Sequence, residues 1–162
     1  MTKVSIGFST NKKAILSKII CWAQGTPYSH VYIRRDSKYG EYVYQASGLQ
    51  VNFMNIETFL EHNTVIEEYE FDLPDDRHDE LITFLIKYAG KPYSIKSLFQ
   101  IGIMQVFKKV KFKPENEDSF VCSKLCAFFI ETVLDLDVPG DYNFISPADL
   151  NPYIKTYGRR II

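Results

Sequence analysis

The sequence predicts an α+β fold in which strands and helices occupy different parts of the chain. Runs rich in β-branched and aromatic residues fill much of the first half, and helical patterns dominate the second half. This segregation favours α+β over an alternating βαβ arrangement, with a mainly antiparallel sheet packed against helices. The chain has 162 residues, of which 46% are hydrophobic, so it has enough apolar side chains for a substantial core. We therefore predict a single domain spanning residues 1–162.

The first predicted elements are a strand at residues 4–8 and a helix that ends near residue 23. A polar stretch at residues 9–11 provides capping side chains for this helix. A Gly-Thr-Pro sequence follows and ends the helix. The apolar positions that helical spacing makes available for burial are Ala14, Ile15, Ile19, Ile20 and Trp22.

A β-hairpin is predicted next. A strand around residues 28–33 alternates so that His30, Tyr32 and Arg34 share one face. Turn residues at 36–40 connect it to a returning strand at 41–46. Further along we predict a strand at 49–53, a helix at 56–62, a strand at 65–71 and a helix at 75–88. Another helix starts at Ser94 or Ser97 and ends near residue 107. A loop at 114–118, a helix at 122–134 capped by Ser119 and a last short turn at 146–150 complete the chain.

Charge and targeting signals exclude several classes of protein. The formal net charge is −1, so the overall composition does not indicate a nucleic-acid partner. Residues 1–9 are typical of a strand rather than of a secretion signal, and no segment has the length of a membrane span. The three cysteines lack metal-ligand spacing, and their odd number favours a reducing compartment. We expect a cytoplasmic protein.

Cys122 is the strongest candidate for chemistry. It falls in the first turn of the helix predicted after Ser119, where unpaired N–H groups and the helix dipole favour a thiolate. A cysteine nucleophile also needs a base, and the strand residue His30 is the most suggestive partner. The other two cysteines, Cys21 and Cys126, are expected to pack in the interior.

Five short motifs occur in a defined order along residues 4–150. They are Ser-His-Val, Val-Tyr-Gln-Ala-Ser-Gly, Gly-Lys-Pro-Tyr, Val-Cys-Ser-Lys-Leu and Ser-Pro-Ala-Asp-Leu. In this order they resemble the circularly permuted branch of the NlpC-type papain-like superfamily. That branch includes the YiiX-like amidases, and the lecithin:retinol acyltransferase group is a more distant relative.

This resemblance implies a papain-like fold in which the histidine strand precedes the cysteine helix. It implies Cys122 as the nucleophile, His30 as the general base and later the acid, and Gln45 as the polar residue that orients the imidazole. Tyr93 and Ser123 are the corresponding substrate-binding positions, with Tyr93 near the oxyanion. The chain departs from the pattern where many relatives carry Asp before the cysteine and Gly two places after it. Val121 and Lys124 stand at these positions.

The predicted function is a cysteine hydrolase or transferase that acts on an amide or ester and requires no metal or organic cofactor. Two substrate classes remain open: a peptide, including cell-wall peptides, or a lipid acyl group. The apolar helix and lysine run within residues 97–113 would favour the lipid if they rest on an anionic membrane. The alternative, which belongs to a different functional class, is a non-catalytic binding module on the same fold, for example a viral or host-interaction protein.

Overall fold

The protein is described by a computed structural model that covers residues 2–113 and 118–162. Within these residues one antiparallel sheet of six strands has the order β4-β3-β2-β1-β5-β6. The predicted hairpin is present as β2 and β3, and β1 pairs with β2 on one side and β5 on the other. The strands are β1 (Thr2–Thr10), β2 (His30–Ser37), β3 (Gly40–Ser47), β4 (Gln50–Asn55), β5 (Thr64–Leu73) and β6 (Arg159–Arg160).

Helices pack around this sheet, and most follow it in sequence, as an α+β fold requires. None of the helices within the two described ranges is long and apolar enough to cross a membrane. A short 3-10 turn at Asp75–Arg77 precedes the third helix. The helices are α1 (Ile15–Gln24), α2 (Ile56–Leu60), α3 (His78–Tyr88), α4 (Ile95–Val106), α5 (Cys122–Thr132) and α6 (Pro147–Tyr157).

The burial predicted for α1 is wrong for three of the five residues named, whereas Ala14 and Ile20 are partly buried. Ile15 and Trp22 are about three-quarters exposed, at 75% and 74%, and Ile19 is also exposed. The buried residue of this helix is Ser17, whose hydroxyl packs beside polar residues of the sheet. Most apolar side chains of α1 therefore face away from the sheet, and the helix is held inward by the hydrogen bonds of Ser17 and by the packing of Ile20.

The helix ends also correct the sequence prediction. Ser119 does not cap α5, which begins at Cys122 with Val121 as its N-cap and has no side-chain cap. The predicted short turn near the C-terminus is a full helix, α6, which is capped by a reciprocal pair of hydrogen bonds between Ser146 and Asp149. The loop predicted at residues 114–118 lies mainly outside the described residues.

The two faces of the sheet bury different clusters. The main core lies between the sheet and helices α3, α5 and α6, with the fully buried Phe129 at its centre. The opposite face carries a smaller cluster that includes Tyr32 and Phe59. Tyr32 lies over β1 at Gly7, where an added Cβ would lie 2.2 Å from the ring. Glycine at this position lets the ring pack flat against β1, which anchors the strand that begins at His30.

Candidate functional site

Cys122 is the first residue of α5 and lies at the wall of a cavity. Its side chain is buried, with only 3% exposed. Burial raises the pKa of the Cys122 thiol, and the backbone N–H groups of Val31 and Ser123 oppose this rise by donating toward the sulfur. The sequence predicted a solvated thiolate at this position. The structure instead favours the neutral thiol in the resting protein, because the desolvation of the sulfur outweighs the helix N-terminus.

His30 is the first residue of β2, and its ring is held by one side chain. His30 Nε2 lies 2.6 Å from Gln45 Oε1. Since an amide oxygen only accepts hydrogen bonds, Nε2 carries the hydrogen and donates it. The other ring nitrogen, Nδ1, is then the one with a free lone pair. Burial lowers the pKa of His30 to about 4, while the bond to Gln45 opposes this shift. The ring is therefore neutral at pH 7 and able to accept a proton.

Gln45 is positioned by the middle of β3, where it is buried. Its amide nitrogen points toward Met54 Sδ at 3.7 Å, and its oxygen is directed at His30. Met54 belongs to β4, the neighbouring strand, so two strands hold this amide. A side chain fixed at both ends of its amide selects one tautomer of the histidine.

Tyr93 is positioned by backbone contacts with two other segments of the chain. Its N–H donates to the carbonyl of Leu49, and it forms a parallel bridge with Phe120, just before α5. Burial raises the pKa of the Tyr93 hydroxyl above its ordinary range, and the nearby Cys122 adds to the rise. The phenol therefore remains a hydrogen-bond donor at neutral pH.

These four side chains line one cavity of about 410 Å³, which brings together the predicted catalytic residues Cys122, His30 and Gln45 with Tyr93. The hydrogen bond of the His30 ring goes to Gln45, and no hydrogen bond joins the ring to Cys122 Sγ. The predicted contact between the base and the nucleophile stays a prediction.

Ser123, the remaining predicted site residue, does not line this cavity. Its hydroxyl is buried and donates to the carbonyl of Ile145 at 2.6 Å. It borders instead a very small cavity of about 20 Å³ that reaches the other side of Cys122. The side chain of Ser123 therefore holds α5 to the chain before α6, while its N–H is directed at the cysteine sulfur.

Sequence reasoning missed several polar residues of the cavity. Ser17 and Ser29 both line it, and their hydroxyls are hydrogen-bonded to each other. Ser17 also bonds to Thr10, so a row of hydroxyls joins α1 to the strands beside His30. His62 is exposed and lies at the rim of the same cavity. The signal for Ser17 was its polar side chain between apolar helical positions.

A metal centre does not fit the described residues. Within residues 2–113 and 118–162 no group of three or more His, Cys, Asp and Glu side chains is arranged to hold a metal ion. Within this part of the chain, Cys122 and Cys126 have no third ligand of this kind beside them, which structural or catalytic zinc sites require.

Comparison with known proteins identifies the fold only. No protein-family model matches the sequence, and no curated protein matches it. Among solved structures, the metalloprotein YiiX from Escherichia coli O157:H7 superposes with a TM-score of 0.61. The alignment covers 100% of this chain and 88% of that chain at 17% sequence identity. The chain therefore has a YiiX-like fold, and this similarity extends over its full length.

Proposed function

We propose that the protein is a cysteine hydrolase or acyltransferase with a papain-like, permuted arrangement, and that it cleaves an amide or ester through a thioester on Cys122. The observation that carries the proposal is the shared cavity, in which a thiol, a neutral imidazole, an orienting amide and a phenol meet. A nucleophile beside a base that is itself oriented by a third group is the arrangement of covalent acyl transfer.

The first step starts from a neutral pair rather than from an ion pair. His30 Nδ1 accepts the proton of the Cys122 thiol while the sulfur attacks the acyl carbon. The raised pKa of Cys122 and the lowered pKa of His30 make the transfer unfavourable before substrate binds. The thiol is therefore deprotonated during the attack, and the site is protected from reagents that require a preformed thiolate.

The oxyanion of the tetrahedral intermediate accepts hydrogen bonds from the backbone N–H of Cys122 and from the hydroxyl of Tyr93. Collapse of this intermediate breaks the bond to the leaving amine or alcohol, which takes its proton from His30. The product of this half-reaction is a thioester on Cys122. A water molecule or another acceptor, deprotonated by His30, then attacks the thioester and frees the enzyme.

A lipid acyl substrate at a membrane is the second candidate, and one surface favours it. Helices α1 and α4 pack against each other, and each turns one side toward Cys122. Their opposite sides expose apolar residues to solvent, including Trp22 on α1 and Phe99 on α4. The exposed basic run of Lys108, Lys109, Lys111 and Lys113 follows α4. Apolar side chains flanked by lysines match the interface of an anionic bilayer.

The catalytic proposal is tested by trapping the thioester. The protein is incubated with p-nitrophenyl butyrate, and the intact mass is recorded at short times. An added butyryl group on Cys122, absent from the Cys122→Ala variant and present in Cys126→Ala, supports the proposal. If neither the wild type nor Cys126→Ala acquires the group, and ester turnover matches that of Cys122→Ala, the alternative of a non-catalytic binding module is favoured.

The membrane candidate is tested by tryptophan fluorescence. The chain contains one tryptophan, Trp22, and it is exposed on α1, so its emission reports on this surface. Vesicles of phosphatidylglycerol should shift the Trp22 emission to shorter wavelength, and vesicles of phosphatidylcholine should shift it less. Replacing Phe99 by Glu should weaken this response. An unchanged emission spectrum with both vesicle types leaves the peptide as the preferred substrate class.

A further inference from the structure

A second cavity, of about 890 Å³, lies between α3 and strands β2, β3 and β4. Sites for small molecules in proteins commonly enclose about 300–1,000 Å³. This cavity shares no lining residue with the cavity at Cys122. It is therefore a separate space, and nothing in the proposed cysteine chemistry accounts for it.

The walls of this second cavity are apolar and aromatic. One wall is formed by the side of α3 that carries Leu81, Ile82, Leu85 and Ile86, and the other includes Tyr42, Tyr44 and Phe53. The tyrosine hydroxyls are already used within the protein. Tyr44 donates to the carbonyl of Leu85 at 2.8 Å, and Tyr42 donates to the carbonyl of Tyr39 at 3.3 Å. These walls consequently offer apolar contact rather than free hydrogen-bonding groups.

Arg35 is the exception among the polar side chains that line the cavity. Its Nε is buried and has no hydrogen-bond partner, and Arg35 forms no ion pair within the described residues. Its neighbour Arg34 lies on the opposite face of the strand and pairs with the buried Glu68 at 3.0 Å. A buried guanidinium N–H without an acceptor is uncommon in a folded protein. The Nε of Arg34 also has no hydrogen-bond partner, but the charge of Arg34 is paired with Glu68, whereas Arg35 leaves a cationic donor at the cavity without an anion.

The charged side chains that line the cavity, Arg35 and Lys38, are both cationic. Lys38 and His78 line it together with Arg35, and the described lining contains no Asp or Glu. Lys38 Nζ lies 4.8 Å from the ring centre of Tyr39, and His78 Nδ1 is hydrogen-bonded to Thr2. Both therefore have partners, which makes Arg35 the group best placed to receive an anion. A ligand that complements this cavity has an apolar body and an anionic end.

We propose that this cavity binds a single-chain alkyl carboxylate, with the chain along α3 and the carboxylate on Arg35. A carboxylate accepts two parallel hydrogen bonds from a guanidinium, which neither a lysine nor a histidine provides. The alkyl chain removes the apolar walls from water. The binding site does not depend on Cys122, so it stands whether or not the protein is an enzyme.

Calorimetric titration with dodecanoate, kept below the concentration at which it forms micelles, tests the proposal. We expect saturable binding of one dodecanoate per chain. Arg35→Met should weaken binding by about tenfold or more, because it keeps the unbranched apolar part of the side chain and removes the guanidinium donors. Arg160→Met is the matched control, since Arg160 is an exposed arginine on β6 outside the cavity. It should bind dodecanoate like the wild type.

Further variants keep the test decisive. Ile86→Glu places a negative charge on an exposed wall position, so it should fold normally and repel the ligand. If Arg35→Met fails to fold, Arg35→Lys takes its place and should bind dodecanoate with intermediate affinity. Dodecyltrimethylammonium, with the same chain and the opposite charge, should bind weakly. The proposal is overturned by an absence of saturable binding, by equal binding of the cationic amphiphile, or by unchanged binding in both Arg35→Met and Ile86→Glu.

Discussion

The cavity at Cys122 and the cavity at Arg35 each contain a buried side-chain nitrogen, but only one of the two nitrogens has a partner within the protein. The His30 ring donates to Gln45, so its orientation and tautomer are set by the protein. The Arg35 Nε has no acceptor. A polar group that is hydrogen-bonded within the protein has a set orientation toward a bound molecule. A polar group without a partner can instead form its hydrogen bond with the bound molecule itself. The comparison separates a candidate reaction site from a candidate binding site within one chain.

The largest expected effect concerns the nucleophile. Cys122→Ala should lower turnover of an activated ester by about 10³-fold or more, because no other group in the cavity forms the thioester. The matched control is Cys126→Ala, which removes a buried sulfur four residues along α5. It should retain turnover while unfolding at a lower temperature, since it leaves space in the core. Equal turnover in Cys122→Ala and the wild type would contradict the assignment of the reaction site.

The next effect concerns the orienting amide. Gln45→Leu should lower ester turnover by roughly 10- to 100-fold, because the ring loses the acceptor that selects its tautomer. Gln45→Glu keeps the acceptor and should recover part of the activity. It should also raise the pKa of His30, since a carboxylate favours the imidazolium. The pH profile of turnover measures this shift. A profile that is the same in all three proteins would show that Gln45 does not act through His30.

Alkylation of the cysteines gives a smaller effect, and here helix position and burial predict opposite results. The position of Cys122 at a helix start predicts that it reacts fastest. Burial raises the pKa of Cys122, so at pH 7 we expect it to react with iodoacetamide about tenfold more slowly than the half-buried Cys21. The rate at Cys122 should increase as the pH is raised. Peptide mass spectrometry at several pH values measures each cysteine separately, and a faster reaction at Cys122 at pH 7 would favour a preformed thiolate.

The smallest effect is on stability at acidic pH. The pKa of His30 is lowered from 6.5 to about 4 in the folded chain. As the pH falls through this interval, the unfolded chain binds the proton and the folded chain does not, so stability decreases. The contribution is complete above pH 6.5 and is lost as the pH approaches 4. The His30→Asn variant should lose less stability over this interval. Melting temperatures that fall in parallel in both proteins would show that His30 is not desolvated.

Local patterns in the sequence determined most of the elements. Alternation in the His30 strand and the turn residues after it predicted the hairpin of β2 and β3, because these signals act between near neighbours. The position of Cys122 in the first turn of a helix was also predictable. The strand pattern suggested His30 as a further site residue, and the family resemblance carried by the five motifs implied Gln45 and Tyr93. The element predictions depend on signals between near neighbours, which the sequence contains in full.

Burial and charge state were decided by tertiary structure. Helical spacing predicted a buried stripe on α1, yet Ile15, Ile19 and Trp22 are exposed, because Ser17 with its hydroxyl partners and Ile20 make the inward contacts. The raised pKa of Cys122 follows from burial of its sulfur in the core, which outweighs the backbone N–H groups directed at the sulfur and which no position in a helix reveals. Arg34 and Arg35 are adjacent and identical in type. Only the sheet, which turns them to opposite faces, leaves one paired with Glu68 and the other at a cavity without a partner.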